Sequence, residues 1–255
     1  MTVSVVTSCS AVGWKQYGQR FVETFDKFWP PSVALYVASE DSLPVSNGGR
    51  QVTFIDLNTN SGFGVFTQRN IQSPRANGLR AGNMPVILDK RHYNFRMDAI
   101  KFSKKVFALS MAANLVPAGR LIWLDADVVT IDFVPIEFLL TLPPSGSAIA
   151  YLSRRPYHSE CGFVGYDLDH PATRPFIQRF VETYATDAVF KLKEWNDCFV
   201  FDYLRMTMCM PSYLIPHKSV AHPFVHSALG QYMDHLKGRR KQRGNSHDHP
   251  RFSVR

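Results

Sequence analysis

The sequence lacks most of the features that would take it out of the ordinary globular class. No apolar run approaches the ~18 residues needed to cross a membrane, and residues 1–30 carry no basic start followed by an apolar core. These absences lead to the expectation of a cytoplasmic chain with no membrane span, not secreted. Cysteine is scarce: Cys9, Cys161, Cys198 and Cys209 lie far apart, with no C-x-x-C pair. A disulfide framework or a zinc knuckle is therefore not expected, and the thiols should be reduced and mostly buried. Internal repeats and low-complexity tracts are missing. So is any helix-turn-helix, RRM or zinc pattern, which counts against a dedicated nucleic-acid-binding module.

What is present is a 255-residue chain with 45% hydrophobic and 20% charged residues, enough to bury a core without covalent staples. The net charge of +8 is uneven: residues 237–255 hold +6 of it, from Lys237, Arg239, Arg240, Lys241, Arg243, Arg251 and Arg255 against Asp248. A local excess of this kind implies an anionic partner near the C-terminal end, whether phosphate, nucleic acid or lipid.

Period and punctuation predict a layered α/β protein. Val3–Thr7 reads as a β-branched strand, followed by a helical stripe of Trp14, Tyr17, Phe21, Phe25 and Phe28 that Pro30-Pro31 stops. Val33–Val37 and Val52–Ile55 are the next strands, and strand, helix, strand at this spacing reads as a βαβ unit. Residues 57–92, rich in Gly, Asn, Ser, Pro and Arg, read as a long loop, either a mobile flap or a surface insertion. From Phe95 a helix is predicted through Ala113, with Lys101, Lys104 and Lys105 on its solvated face. Leu121–Leu124, Ala148–Leu152 and Gly162–Tyr166 read as strands, Phe176–Phe190 as a helix, and Asn196-Asp197 as the capped start of another.

Two motifs carry chemistry. Leu121–Leu124 runs into Asp125-Ala126-Asp127, where residues i and i+2 of an extended segment can aim both carboxylates at one hard divalent cation. With fifteen Asp in the chain, about one D-x-D arises by chance, and Asp167-Leu168-Asp169 is a second copy. Context separates them. Asp125 ends a buried strand, where α/β sheets place ligands, whereas Asp167 and Asp169 precede His170-Pro171 and read as turn and cap residues. The other motif, His235-Leu-Lys-Gly238-Arg-Arg-Lys241, fits H-x-x-G-x-x-K, a pattern with about 0.02 chance matches here. Imidazole can be a third metal ligand, glycine lets backbone approach a phosphate, and lysine places a charge on it.

Together these motifs resemble those of nucleotide-sugar glycosyltransferases of the GT-A fold, a Rossmann-like mixed α/β sheet flanked by helices in a single domain. The resemblance is greatest to the family 8, glycogenin-like group. Phe95–Lys105 and Tyr232–Lys241 also look like phage-type glycosyltransferases, which implies a bacterial or virus-infected host cytosol. The resemblance implies Asp125, Asp127 and His235 as ligands of Mn2+ (or Mg2+). Ala126, Gly238 and Lys241 would contact the diphosphate of a nucleotide-sugar donor, a UDP-sugar by the family habit. Residues 1–135 would form the nucleotide-sugar half, 136–230 the acceptor half, and 231–255 a basic segment closing on the diphosphate.

Arg96 and Asp98 are candidate donor contacts, and Thr7 and Ser8, with Cys9 and Tyr17, are candidates for the base and ribose. Ser159–Val164 looks like the family's Asn-Ser-Gly strand with Glu160 and Cys161 substituted. Asn196-Asp197 stands where the family has Asp-Gln. Family 8 implies retention of configuration; an inverting enzyme would use Glu160 or Asp197 as general base. His217, His222 or His226 could line the site. Acceptor glycan, lipid, protein or modified DNA base all stay open, as do a haloacid-dehalogenase-like phosphatase with Asp125 as nucleophile and a non-enzymatic nucleic-acid-binding module.

Overall fold

The computed structural model describes residues 2–41, 52–79, 93–238 and 240–252. In chain order, β1 (Val3–Cys9) leads into α1 (Ala11–Gly13), a π-helical stretch at Trp14–Gly18, and α2 (Gln19–Phe28). β2 (Ala34–Ser39), β3 (Val52–Asp56), α3 (Ser61–Asn70), β4 (Asn77–Leu79) and β5 (Tyr93–Asp98) precede the long α4 (Ala99–Leu115). Then come β6 (Arg120–Leu124), β7 (Val128–Thr130), α5 (Ile136–Leu140), β8 (Ile149–Arg154), β9 (Tyr157–Asp167) and α6 (Thr173–Ala185). α7 (Asp197–Thr207), β10 (Ser212–Leu214), β11 (Met233–His235) and α8 (Arg240–Arg243) complete the chain.

One seven-stranded sheet, in the order β10-β8-β9-β6-β1-β2-β3, forms the centre. Its neighbouring strands are parallel except where β9 runs antiparallel to β6 and β8. The period-two alternation of a strand sends successive side chains to opposite faces, and here both faces are covered. Leu121 and Trp123 join the cluster under α3, α4, α6 and α7, with Phe66, Phe107, Phe176 and Phe201. Ile122 and Leu124 join the opposite cluster with Phe21 and Phe25 of α2 and Leu139 of α5. All five residues of β6, Arg120 included, are buried, and with both faces covered Leu121–Leu124 reads as an unbroken apolar run. Each such large side chain contributes roughly 1.5–3 kcal/mol by leaving water.

The structure corrects several boundaries. The segment expected to be a loop from 57 contains a ten-residue helix, α3, capped by Asn60, whose side chain accepts from Phe63 N at 2.9 Å. Phe63 and Phe66 anchor it in the core; the flap expected over residues 80–92 falls outside the described residues. Phe95 lies in β5, not in a helix; α4 begins at Ala99 under an Asp98 cap. The helix expected through Phe190 stops at Ala185, because Asp187 adopts a left-handed φ of 61° and restarts the chain as a short 3-10 turn at Ala188–Lys191. Asp167 and Asp169 form the expected turn, Asp169 N donating to Asp167 Oδ1 at 3.1 Å, but neither caps a helix: Asp167 pairs with buried Arg120, and Asp169 accepts from Gly119 N at 3.1 Å. All four cysteines are free; Cys9 and Cys161 are buried, Cys198 is half-buried and Cys209 exposed. No helix among the described residues is long and apolar enough to cross a membrane.

A separate two-stranded ribbon positions the candidate site residues. β7 and β11 pair antiparallel, with Val128 opposite His235, Val129 opposite Asp234 and Thr130 opposite Met233. β7 follows the Asp125–Asp127 triplet directly, so this register delivers His235 to the end of β6.

Candidate active site

At the carboxyl end of β6 the chain turns. Asp125 N donates to Gly162 O on β9 at 2.9 Å, and Val128 N donates back to Asp125 O at 3.0 Å. The two carboxylates thus converge through a tight turn rather than along an extended segment. Leu236 N donates to Asp127 O at 3.0 Å, tying the end of β11 to the same turn. The result is a cluster in which ligand atoms of Asp125, Asp127 and His235 all lie within 4.8 Å of one another. His235 Nε2 is 3.0 Å from Asp127 Oδ1 and 3.5 Å from Asp125 Oδ2.

Each carboxylate has its remaining oxygen occupied. Asp125 Oδ1 accepts from Trp123 Nε1 at 2.7 Å and from Lys105 Nζ at 3.1 Å. Asp127 Oδ2 pairs with Lys241 Nζ at 2.9 Å, and that ammonium sits 4.2 Å over the ring of Tyr17. The oxygens left facing each other across the imidazole are Asp125 Oδ2 and Asp127 Oδ1. Burial acts against ionisation of Asp127, but His235 and Lys241 overcome it and hold the carboxyl well below its ordinary range. Burial likewise disfavours the imidazolium, yet the Asp127 carboxylate raises the His235 pKa to about 9. Burial, then Asp127, pushes the Tyr17 phenol up to about 12.

Behind the imidazole stands Glu160, 3% exposed. Its Oε1 is 3.3 Å from His235 Nδ1, within ion-pair reach but not aligned as a hydrogen bond. Lys237 Nζ lies 2.6 and 2.7 Å from the two Glu160 oxygens, and Gly162 N donates to Oε1 at 3.1 Å. Burial opposes the charge, but Lys237 and His235 keep Glu160 ionised well below the usual carboxylate range. Gly162 itself makes the arrangement possible. A Cβ there would run into Cε1 and Nδ1 of the His235 ring, so the ring packs where the strand has no side chain.

Both aspartates, Glu160, Gly162, Lys237 and Lys241 line a cavity of about 1070 Å³, large enough for a nucleotide-sized ligand, with the His235 ring buried behind its wall. Ser8, Arg96, Asp125, Ala126, Asp127, Glu160, Asp197, Gly238 and Lys241 all contribute to its wall. Gly238 has φ of 58°, a conformation that suits glycine, and open space where a Cβ would stand. Arg96 reaches Glu194 at 3.3 Å. Other candidates lie elsewhere. Thr7 is buried inside β1 with no hydrogen-bond partner for its hydroxyl among the described residues. Asp98 is not in the wall: it caps α4 by accepting from Lys101 N at 2.9 Å and accepts from Tyr93 Oη at 2.8 Å. Ser8 Oγ donates to Glu40 at 3.2 Å. His217, His222 and His226 do not line the cavity either. His222 lies against Arg240 and Asp248, and burial followed by Arg240 lowers its pKa to about 4.

Periodicity hides one residue of the cavity wall, Lys105. Read as part of a solvated face, it is instead half-buried and turned inward, with Nζ 2.8 Å from Asp197 Oδ2, 3.1 Å from Asp125 Oδ1 and 2.5 Å from Cys161 O. Burial disfavours its charge, and the two carboxylates more than compensate, keeping its pKa well above the ordinary lysine value. Lys104 is not free in solvent either; it pairs with Glu40 at 2.9 Å.

No protein-family model matches the chain, and no curated protein matches it in sequence. Solved structures do match its shape. A glycosyltransferase involved in the glycosylation of the major capsid of PBCV-1 aligns over 95% of this chain and 100% of its own, with TM-score 0.53 and 11% identity. The bifunctional glycosyltransferase WbbM aligns over 93% of this chain but 46% of its own, with TM-score 0.52 and 10% identity. Mouse xyloside xylosyltransferase 1 aligns over 84% of this chain and 85% of its own, at TM-score 0.48 and 12% identity. The first two establish a shared fold, a mixed α/β sheet flanked by helices.

Proposed function

We propose that the chain is a divalent-cation-dependent glycosyltransferase that moves a sugar from a nucleotide diphosphate donor to an acceptor hydroxyl. By the family 8 resemblance the donor is a UDP-sugar and the anomeric configuration is retained. One observation carries this reading: Asp125, Asp127 and His235 converge at the end of β6, where the two aspartates and Lys241 line a cavity of about 1070 Å³ and the buried imidazole stands directly behind its wall. The fold shared with solved glycosyltransferases supports it.

The donor set fits a hard divalent cation such as Mn2+ or Mg2+, because two carboxylates and one imidazole present three ligand atoms within 4.8 Å. Bound there, the cation supplies Lewis-acid stabilisation of the charge developing on the departing diphosphate. The chain's own groups do the positioning. Trp123 and Lys105 hold Asp125 by Oδ1 and so turn Oδ2 toward the imidazole. Lys241 adds a cation at the leaving-group side, and Gly238 leaves room for a phosphate to approach the backbone. Glu160, tied to Lys237 on both oxygens, is a poor proton shuttle; its role in this reading is to anchor Lys237 and the back of His235. Asp197 borders the donor sugar. A phosphatase would need Asp125 as a free nucleophile, whereas its Oδ1 accepts two hydrogen bonds and its Oδ2 faces His235.

The test is thermal stabilisation by a panel of UDP- and GDP-sugars with and without Mn2+. The expected result is a shift that needs both nucleotide and metal and vanishes in Asp127→Ala. A shift that is indifferent to metal, or unchanged in Asp127→Ala, defeats the proposal.

A further inference from the structure

A second set of ligating side chains lines the same cavity. Cys161 of β9 and Asp197 and Cys198 of the first turn of α7 bring two sulfurs and a carboxylate oxygen within 4.8 Å of one another. Both supports are rigid: β9 is paired on both edges, and Asn196 caps α7 by accepting from Phe199 N at 3.0 Å. The carboxylate is already oriented. Lys105 holds Asp197 Oδ2 at 2.8 Å, and Oδ1 is the oxygen that Cys198 Sγ approaches at 3.7 Å.

We propose that Cys161 Sγ, Cys198 Sγ and Asp197 Oδ1 form a binding site for a thiophilic divalent cation of the Zn2+ or Cd2+ class, separate from the Asp125–Asp127–His235 cluster. Two thiolates and one carboxylate oxygen suit these soft or borderline ions and not Mg2+ or Mn2+. Three protein ligands leave a fourth position, and all three residues line the cavity, so that position opens to water or to a cavity ligand.

Charge balance supports the site. Exchange of two thiol protons for one divalent cation leaves the net charge around Cys161, Cys198, Asp197, Asp125 and Lys105 unchanged, with the Lys105 ion pairs intact. The usual obstacle to burying a dication, uncompensated charge, is therefore absent. Lys105 plays the part of the outer-shell partner that orients a ligating carboxylate. The same ammonium lies 3.1 Å from Asp125 Oδ1, so a cation here sits one side chain away from the other cluster. Inhibition of sugar transfer by such a cation follows, and this consequence alone rests on the proposed transferase reading.

The test is a titration of the Asp127→Ala protein with Cd2+, thiols kept reduced, which takes one of the two carboxylates out of the competing carboxylate–imidazole cluster. The expected result is an ultraviolet sulfur-to-cadmium charge-transfer band that saturates at one ion per chain with release of two protons. Cys198→Ser should weaken the apparent affinity by more than about tenfold, the loss that even an outer-shell partner can cause. Cys209→Ser should leave it unchanged. Because Cys161→Ser alters a buried position and could fail to fold, a second measurement uses the unaltered chain: Zn2+ should protect Cys198 from alkylation while Cys209 stays reactive. No charge-transfer band, or a band of equal affinity in Cys198→Ser, overturns the site. A band in Asp127→Ala, when the unaltered chain binds no sugar nucleotide in the presence of Mn2+, supports the site and counts only against the transferase.

Discussion

His235 Nε2 lies 3.0 Å from Asp127 Oδ1, although the two residues are 108 positions apart. The backbone makes this contact before the side chains do. Pairing of Val128 with His235, and of Leu236 N with Asp127 O, sets the register of the ribbon to a single residue. A slip of one position would turn the imidazole to the other face of the ribbon.

Gly162→Ala should be disruptive out of proportion to one methyl group. The new Cβ would collide with the His235 ring and approach Glu160 Oε1 to 3.0 Å. We expect a loss of stability of about 1–3 kcal/mol, the usual cost of overpacking, together with loss of Mn2+-dependent nucleotide stabilisation. Chemical denaturation and calorimetric metal titration measure the two; unchanged values in both would refute the packing argument.

Lys105→Met and Lys104→Met test whether neighbouring lysines on one helix differ in role. The first leaves the carboxylates of Asp197 and Asp125 without their shared cation and should cost about 3 kcal/mol, as for a broken buried pair. The second breaks a pair with Glu40 nearer the surface and should cost no more than about 1 kcal/mol. Equal denaturation midpoints for the two variants would contradict the assignment.

Metal affinity should rise with pH. With its pKa raised to about 9 in the metal-free chain, His235 carries a proton at neutral pH that a cation must expel to use Nε2. The apparent Mn2+ affinity should therefore increase roughly tenfold per pH unit below that value and level off above it. Calorimetry at a series of pH values reads this directly, and a flat profile through the neutral range would exclude His235 as a ligand.

Lys241→Ala should separate donor binding from cation binding. Losing a charge-assisted contact to phosphate should raise KM for the nucleotide sugar about ten- to a hundredfold. Removing the cation from Asp127 Oδ2 should leave Mn2+ affinity equal or greater. If KM stays constant while Mn2+ affinity collapses, Lys241 serves the carboxylate rather than the donor.

How much of this was readable in advance follows from where the determining contacts lie. The acidic pair and the H-x-x-G-x-x-K pattern are local, so composition and strand context are enough to single them out, and β6 announces itself because both of its faces are buried. Lys105 is different. Lys101, Lys104 and Lys105 share one polar stripe, and only Asp125 and Asp197, on other elements, decide which of them turns inward. Gly162 did leave a signal, since an isolated glycine in a strand marks a close approach, but what approaches it comes from β11. α3 was hidden by Gly62 and Gly64, which dilute the apolar period, although Asn60 three positions before Phe63 is a legible cap. Asp98 had the composition of a ligand contact and proved to be a helix cap, the commoner use of an aspartate before a helix.

The β7–β11 ribbon also has a consequence for synthesis. The ribosome delivers Asp125 and Asp127 long before β11, so an emerging chain holds two carboxylates with no imidazole between them and no ammonium from Lys241. Until β11 arrives, nothing in the ribbon draws these like charges together, and the cation pocket is complete only once His235 and Lys241 have emerged, more than a hundred residues after Asp127.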